Sequence, residues 1–293
     1  MKTFTITALV VLMSAAVSLA QQGQPERPRP QIVLGPDDKA AFDAAPPGFD
    51  KQREGIPRGK LETVEYDSKS VGNKRKVLIY TPPGYSADTK YPVLYLLHGI
   101  GGDETEWKRG GAPEVILDNL YADRKLVPMI VVMPNGRAQP NDRAEGNVFR
   151  HAPAFAKFDQ DLLKDLIPFV ESHYSVKTSR VDRALAGLSM GGGQSLNFGL
   201  GNLGTFAWIG GFSSAPNTKP SAELVPNPDE ATRQLKLLWI SCGDKDGLIH
   251  ISQRLHSDLK EKNVPHVWHV EPGNHDFAVW KNDLYLFSQQ LFR

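Results

Sequence analysis

Cysteine is almost missing from this chain of 293 residues, and Cys242 is the only one. A single thiol excludes an intrachain disulfide and any metal site of Cys-x-x-Cys spacing. Cys242 itself reads as a small buried residue at a strand end. An excess of one charge is missing too. Lys and Arg number 34 and Asp and Glu 33, a net charge of +1, and no basic stripe gathers among them, so nucleic acid is not expected as a partner. No internal repeat is visible. What the chain does have is apolar content of 40%, enough to bury the core of one large domain.

The N-terminus carries a long apolar run. Lys2 gives a basic start, Phe4–Val17 is almost wholly apolar, and Ser18-Leu19-Ala20 puts small residues at the positions that determine cleavage. Residues 1–20 therefore read as a signal peptide, too short to span a bilayer comfortably. No cysteine follows for a lipid anchor. The mature chain is expected to start near Gln21 and to be secreted or periplasmic, with no membrane association after cleavage. Residues 21–60 carry seven prolines, from Pro25 to Pro57, and few apolar anchors. They read as an extended, partly disordered leader without chemistry, and the folded domain is expected over 61–293.

From Leu61 the pattern changes. Leu61–Ser68 and Lys74–Thr81 alternate and predict an antiparallel hairpin. Tyr91–Leu97, Met129–Met133, Arg183–Ala186, Thr205–Phe212, Leu235–Ser241 and His266–Val270 read as strands, and several are apolar throughout, as in a sheet covered on both faces. Helical spacing marks Val115–Ala122, Phe158–Tyr174, Ile251–Lys262 and Phe277–Phe292. This alternation predicts an α/β domain with a mostly parallel central sheet, an N-terminal antiparallel hairpin and helices on both faces. Residues 137–156 show little periodicity and read as an insertion that is functional or mobile rather than core.

The chemistry concentrates at Leu185–Gln194. Gly187-Leu188-Ser189-Met190-Gly191 has the Gly-x-Ser-x-Gly pattern of a nucleophile elbow, with a strand before it and a helix able to begin after it. A serine becomes a useful nucleophile when a sharp turn exposes its hydroxyl to a base, and glycines two residues away on either side relieve the crowding. In α/β-hydrolases the partners follow in the order acid, then histidine, on loops after later strands. His275 follows the strand at His266–Val270 and is the candidate base. The loop after Leu235–Ser241 holds both Asp244 and Asp246. Asp246 is the preferred acid because it has more reach, leaving Asp244 as a turn-forming carboxylate. Asp276 is expected to cap the last helix. An oxyanion hole requires two backbone N–H groups, assigned here to Met190 and Ile100 with Gly101 as the alternative to Ile100. His98 is expected to pin that loop by hydrogen bonding.

Three stretches together carry a resemblance: His98-Gly99-Ile100-Gly101-Gly102-Asp103-Glu104-Thr105-Glu106-Trp107, Gly187-Leu188-Ser189-Met190-Gly191-Gly192 and Gly273-Asn274-His275-Asp276-Phe277. From Leu61 to Phe292 the chain resembles the esterase D-like family of α/β-hydrolases. It looks most like the feruloyl esterase domains attached to plant-wall xylanases, in the first carbohydrate esterase family. The resemblance implies an α/β-hydrolase fold, a triad at Ser189, Asp246 and His275, and hydrolysis of feruloyl or acetyl esters on arabinoxylan. It implies neither metal nor organic cofactor. Residues 137–156 depart from the family pattern.

A secreted serine esterase acting on feruloylated arabinoxylan is the leading reading. Acetyl xylan esterase is the alternative. An acyltransferase of the same fold and a non-catalytic carbohydrate-binding protein are further alternatives, the last disfavoured because no triad residue is missing. Trp107, Phe155, Phe212 and Trp280 lie in predicted loops or at strand ends, and a phenolic acyl group would gain from stacking on them. Trp107 and Trp280 would alternatively brace their loops from behind.

Overall fold

The structure, a computed structural model, describes residues 31–293, so the signal peptide expected over 1–20 lies outside the described residues. Eight strands form one sheet: β1 (Lys60–Ser68), β2 (Asn73–Thr81), β3 (Val93–Leu97), β4 (Ile130–Pro134), β5 (Arg183–Leu188), β6 (Trp208–Phe212), β7 (Leu237–Gly243) and β8 (Val267–Glu271). Their order across the sheet is β1-β2-β4-β3-β5-β6-β7-β8. Only the β1–β2 and β2–β4 pairs are antiparallel. All other neighbours run parallel, so β3 to β8 bring their carboxyl ends to one edge.

The apolar strands are explained by cover on both faces. Val77 and Ile79, Val93 and Tyr95, and Ile130 and Val132 enter one core, while Leu78 and Tyr80, Leu94 and Leu96, and Val131 and Met133 enter the other. This is the two-residue period of the pleat, with no polar side to spare. Helices α1 (Pro113–Ala122) and α9 (Phe277–Ser288) cover the second core. Between them in sequence come α2 (Ala152–Ala156), α3 (Phe158–Asp161), α4 (Ile167–His173), α5 (Ser189–Gly201), α6 (Ser221–Leu224), α7 (Pro228–Gln234) and α8 (Ile249–Glu261). Of these, α4 to α8 pack residues into the first core, and a π turn at Leu162–Leu166 joins α3 to α4. The α/β-hydrolase arrangement expected from the sequence is the arrangement observed.

The leader expected to be loose up to residue 60 is corrected over 32–60. From Ile32 onward the chain forms one compact unit with the sheet. Phe42 stacks on Trp239 with ring centroids 5.4 Å apart, and Phe49 sets its edge against Tyr285 at 5.3 Å. The Ala41 N–H donates to His269 Nδ1 at 3.0 Å, and the Ala45 N–H to Asn282 Oδ1 at 2.7 Å. Asn119 Nδ2 donates to the carbonyls of Phe49 and Lys51 at 2.8 and 2.9 Å. Two aromatics and these backbone bonds anchor a stretch whose composition alone reads as unanchored.

Candidate active site

Ser189 follows the last residue of β5 and starts α5 with φ of 52°, in the left-handed region. A non-glycine residue held there is strained, and strain of this kind marks functional turns. The flanking glycines are required by contact. A Cβ at Gly187 would come 2.7 Å from the Gly191 carbonyl, and one at Gly191 would come 2.5 Å from the His98 carbonyl oxygen. The elbow is therefore pressed against itself and against the loop that follows β3.

The loops after β7 and β8 bring two further side chains to the serine. His275 Nε2 lies 2.9 Å from Ser189 Oγ, and His275 Nδ1 lies 2.7 Å from Asp246 Oδ2. An Nδ1–H donating to the carboxylate leaves the Nε2 lone pair facing the hydroxyl, which is the tautomer a base requires. Asp246 is fully buried. Burial alone would raise its carboxyl, but the His275 hydrogen bond and charge, the Leu248 N–H and Ser213 outweigh it and hold it below its ordinary value. The Leu248 N–H meets its other oxygen, Oδ1, at 2.8 Å.

The competing carboxylates have other partners. Asp244 Oδ1 accepts from the Gly273 N–H at 2.9 Å and so ties the two loops together. Asp276 accepts from the Ala278 N–H at 2.9 Å and caps α9. The Asp276 cap is the one read from the sequence, whereas Asp244, expected to form its own turn, bonds a loop 29 residues away.

Behind the serine, the loop 98–102 presents backbone amides. A Cβ at Gly99 would stand 3.4 Å from the Ser189 Cβ, so the loop lies directly against the elbow. The Gly99 carbonyl accepts from His98 Nδ1 at 2.7 Å and from the Gly102 N–H at 3.1 Å. A trans peptide then sends the Ile100 N–H to the opposite side. Met190 is in the first turn of α5, where N–H groups have no intrahelical acceptor. His98 is buried, and burial lowers its pKa, which keeps the ring neutral. Its Nε2 accepts from the Gly136 N–H at 2.8 Å, so it bridges two loops as expected.

Residues 137–156 are built into the site. Arg143 reaches Glu104 at 3.0 Å and Asp142 at 2.6 Å, and Asn135 Nδ2 donates to the Asp142 carbonyl at 2.8 Å. Gln194 of α5 donates to the carbonyls of Gly136 and Phe155 at 2.9 and 2.7 Å. Arg137 is wholly buried and donates to the Ile100 carbonyl at 2.5 Å. Neither Gln194 nor Arg137 stands out in the sequence as a site residue, because each meets distant backbone carbonyls that leave no local pattern.

The four aromatics expected to stack on substrate are corrected. Trp107, Phe155 and Phe212 are at most 1% exposed and Trp280 is 7% exposed. Trp107 donates to the Leu97 carbonyl at 3.0 Å and packs its edge against Phe212 and Phe277. Phe212 continues to Phe287. Trp280 meets the His275 ring edge-to-face at 5.0 Å and braces it from behind. Phe155 is covered by Met190 and Ala215 and by the His98 ring. Phe212 ends β6, Trp280 is in α9, Phe155 is in α2 and Trp107 starts a helical turn, so each belongs to a packed element and not to an open loop. The partly exposed apolar side chains next to the Phe155 cluster are Ile100, Ala152 and Leu248, packed on Phe155, Met190 and Ala215.

Cys242 is buried, and burial pushes its thiol pKa up, so it is inert. His269, Glu271 and Asp283 cluster closely enough to suit a metal ion. His269 Nδ1 accepts from the Ala41 N–H, however, so the neutral ring carries its proton on Nε2, the atom near Glu271 Oε1 at 3.9 Å. The residues therefore do not fit a ligand set.

A family model described as "Putative esterase" matches residues 68–289. An endo-1,4-beta-xylanase/feruloyl esterase of Xylanibacter ruminicola is 32% identical over 251 residues, 84% of this chain and 33% of its own length. The chain thus spans about a third of that curated relative. A CE1 ferulic acid esterase structure from Anaeromyces mucronatus superimposes with a TM-score of 0.75 at 27% identity, covering 85% of this chain and 96% of its own. The feruloyl esterase module from Clostridium thermocellum, solved with sinapinate, shares the fold with a TM-score of 0.72 at 21% identity, over 89% and 97%.

Proposed function

The chain belongs to the family of putative esterases, and from that premise we propose that it is a serine carboxylic-ester hydrolase acting on plant cell-wall esters, above all feruloylated arabinoxylan. The observation that carries this reading is the unbroken chain from Ser189 Oγ through both nitrogens of His275 to buried Asp246, at 2.9 and 2.7 Å. Ser189 Oγ attacks the ester carbonyl while its proton passes to His275 Nε2. The carbonyl oxygen becomes an oxyanion that accepts hydrogen bonds from the Met190 and Ile100 amides. As the intermediate collapses, His275 gives the proton to the departing sugar alkoxide, leaving an acyl-serine. Water, deprotonated by His275, attacks that ester and releases the acid and Ser189. Asp246 stays ionised throughout, holding the tautomer and stabilising the imidazolium.

The phenolic acyl group is supported by the feruloyl and ferulic acid esterase relatives. A second reading, acetyl xylan esterase, is favoured by the burial of all four candidate stacking aromatics. The reading includes export, with residues 1–20 removed and the enzyme acting outside the cytoplasm. No helix among the described residues is long and apolar enough to cross a membrane.

The test is fluorophosphonate labelling with methyl ferulate turnover. Wild-type protein is expected to label at Ser189 and release ferulate, and Ser189→Ala to lose both with its circular dichroism unchanged. Labelling that persists at another serine overturns the assignment.

A further inference from the structure

Arg137 is a buried guanidinium with no ion-pair partner among the described residues. Asp142, Asp103 and Glu106 lie near enough to favour its charge, yet each is hydrogen-bonded or paired elsewhere. Asp142 pairs with Arg75 and Arg143, Asp103 with Arg109 and Arg143, and Glu106 accepts from the Gly99 N–H at 2.7 Å. Arg137 instead donates to three backbone carbonyls: Ile100 at 2.5 Å and Gly102 at 3.2 Å, both in the loop behind Ser189, and Asp142 at 2.7 Å. Its Cζ lies 5.2 Å from the Phe155 ring centre, and Phe155 packs against Met190.

A buried cation with no direct ion pair is costly, and holding carbonyls does not need a charge, since a neutral amide would serve. The position of this cation gives it a use. The peptide planes of the loop are pinned from behind by two different side chains. His98 Nδ1 holds the Gly99 carbonyl, which sets the Ile100 N–H, and Arg137 holds the Ile100 carbonyl, fixing that same donor residue from its other peptide plane. A donor already oriented before charge develops needs no reorganisation during the reaction, and a fixed positive charge behind it strengthens it further in a water-poor site.

We propose that Arg137 is a positioning residue for the oxyanion hole, holding the Ile100 carbonyl so that the 100–102 segment is locked, with its positive charge behind the segment's amides. Arg137 acts through these amides and does not touch the substrate. The proposal rests on the esterase reading above.

Three variants test it: Arg137→Lys, Arg137→Gln and Arg137→Met, each assayed on 4-nitrophenyl acetate with active sites counted by fluorophosphonate. Removing a direct oxyanion donor costs about 10²–10³ in kcat, so a residue acting from behind should cost about 10–10². Arg137→Gln and Arg137→Met are expected to lose that much kcat per counted site with KM within about threefold, the scale of that loss being set by the oxyanion donors. Affinity for phenylboronic acid, a mimic of the tetrahedral state, should fall by the same factor while ferulate inhibition holds. Arg137→Lys keeps the charge and should retain most activity. Equal kcat per counted site in Arg137→Gln and wild type overturns the role of the charge. A loss of kcat without loss of boronate affinity overturns the proposal as a whole. If Arg137→Met fails to fold, the Lys and Gln variants carry the test. A wild-type protein that neither turns over 4-nitrophenyl acetate nor labels at Ser189 refutes the esterase reading instead.

Discussion

Asp246 and Asp244 stand two residues apart on one loop, yet only Asp246 reaches His275, at 2.7 Å, while Asp244 is turned to the Gly273 N–H at 2.9 Å. The loop between them closes through the Asp246 N–H to the Gly243 carbonyl at 3.1 Å, which directs the two carboxylates to different neighbours. Asp246→Asn is therefore expected to lower kcat by up to about 10⁴, through the wrong histidine tautomer. Asp244→Asn retains a carbonyl acceptor for Gly273 and should stay within about threefold in kcat. Steady-state kinetics on 4-nitrophenyl acetate decide it, and the reverse ranking would mean that the acid is Asp244.

The candidate triad is legible because each of its signals is local to one turn or loop. Gly187 and Gly191 flank Ser189 within five residues, and the acid and histidine each follow an apolar strand, so the fold order places them. Side-chain direction within a loop has no such period. Trp107, Phe155, Phe212 and Trp280 all point into the core, and nothing in their spacing says which side of each element faces it. Arg137 was illegible for a different reason: its loop partners Gly102 and Ile100 lie 35 and 37 residues away and offer backbone atoms, which any side chain would carry. The docking of residues 32–60 was hidden because two phenylalanines among many prolines are too few to form a periodic pattern.

The docked leader should contribute to stability without entering the chemistry. Phe42 stacks on Trp239 and lies 6.2 Å from the His269 ring, and none of its ring contacts among the described residues is to Ser189, His275 or Asp246. Phe42→Ala is expected to cost about 1.5–3 kcal/mol of unfolding free energy, the scale of one buried apolar side chain. Urea denaturation would measure it. Below the transition kcat should be unchanged within about twofold, given that scale of loss. A variant with wild-type stability would mean that the segment merely rests on the domain.

The buried acids beneath this segment predict a dependence of stability on pH. Burial and then the charge of Asp283 hold the Glu271 carboxyl above its ordinary range, and its Oε2 accepts from Asn282 at 2.6 Å. The folded state thus keeps a proton that the unfolded chain releases in the ordinary carboxylate range. The unfolded state binds fewer protons above that range, so the contribution is full at low pH and is lost as pH rises through the raised folded value. Glu271→Gln keeps an acceptor for Asn282 and removes the titration. Urea midpoints between about pH 5 and about pH 9 should fall less steeply in Glu271→Gln than in wild type. Parallel slopes would show that Glu271 is ionised in the folded protein.

The substrate prediction changes once the aromatics prove to be scaffold. The partly exposed apolar side chains packed against Met190, next in sequence to Ser189, are aliphatic: Ile100, Leu248 and Ala152. Phe149 is 73% exposed, in the 3₁₀ turn Val148–His151 three residues before Ala152. Phe149 is thus an exposed aromatic one turn ahead of Ala152, open to stacking by a substrate ring. An aromatic pair adds roughly 0.5–1.5 kcal/mol beyond area burial, which is a factor of about 2–10. Methyl ferulate is therefore expected to be cleaved with higher kcat/KM than acetylated xylan. Phe149→Ala should lower kcat/KM for methyl ferulate by about 2–10-fold and leave 4-nitrophenyl acetate unchanged, because its acetyl group has no ring to stack. Equal losses on both substrates would place Phe149 outside acyl recognition. Acetylated xylan as the better substrate of the wild-type enzyme would transfer the assignment to acetyl xylan esterase, with the chemistry at Ser189 intact.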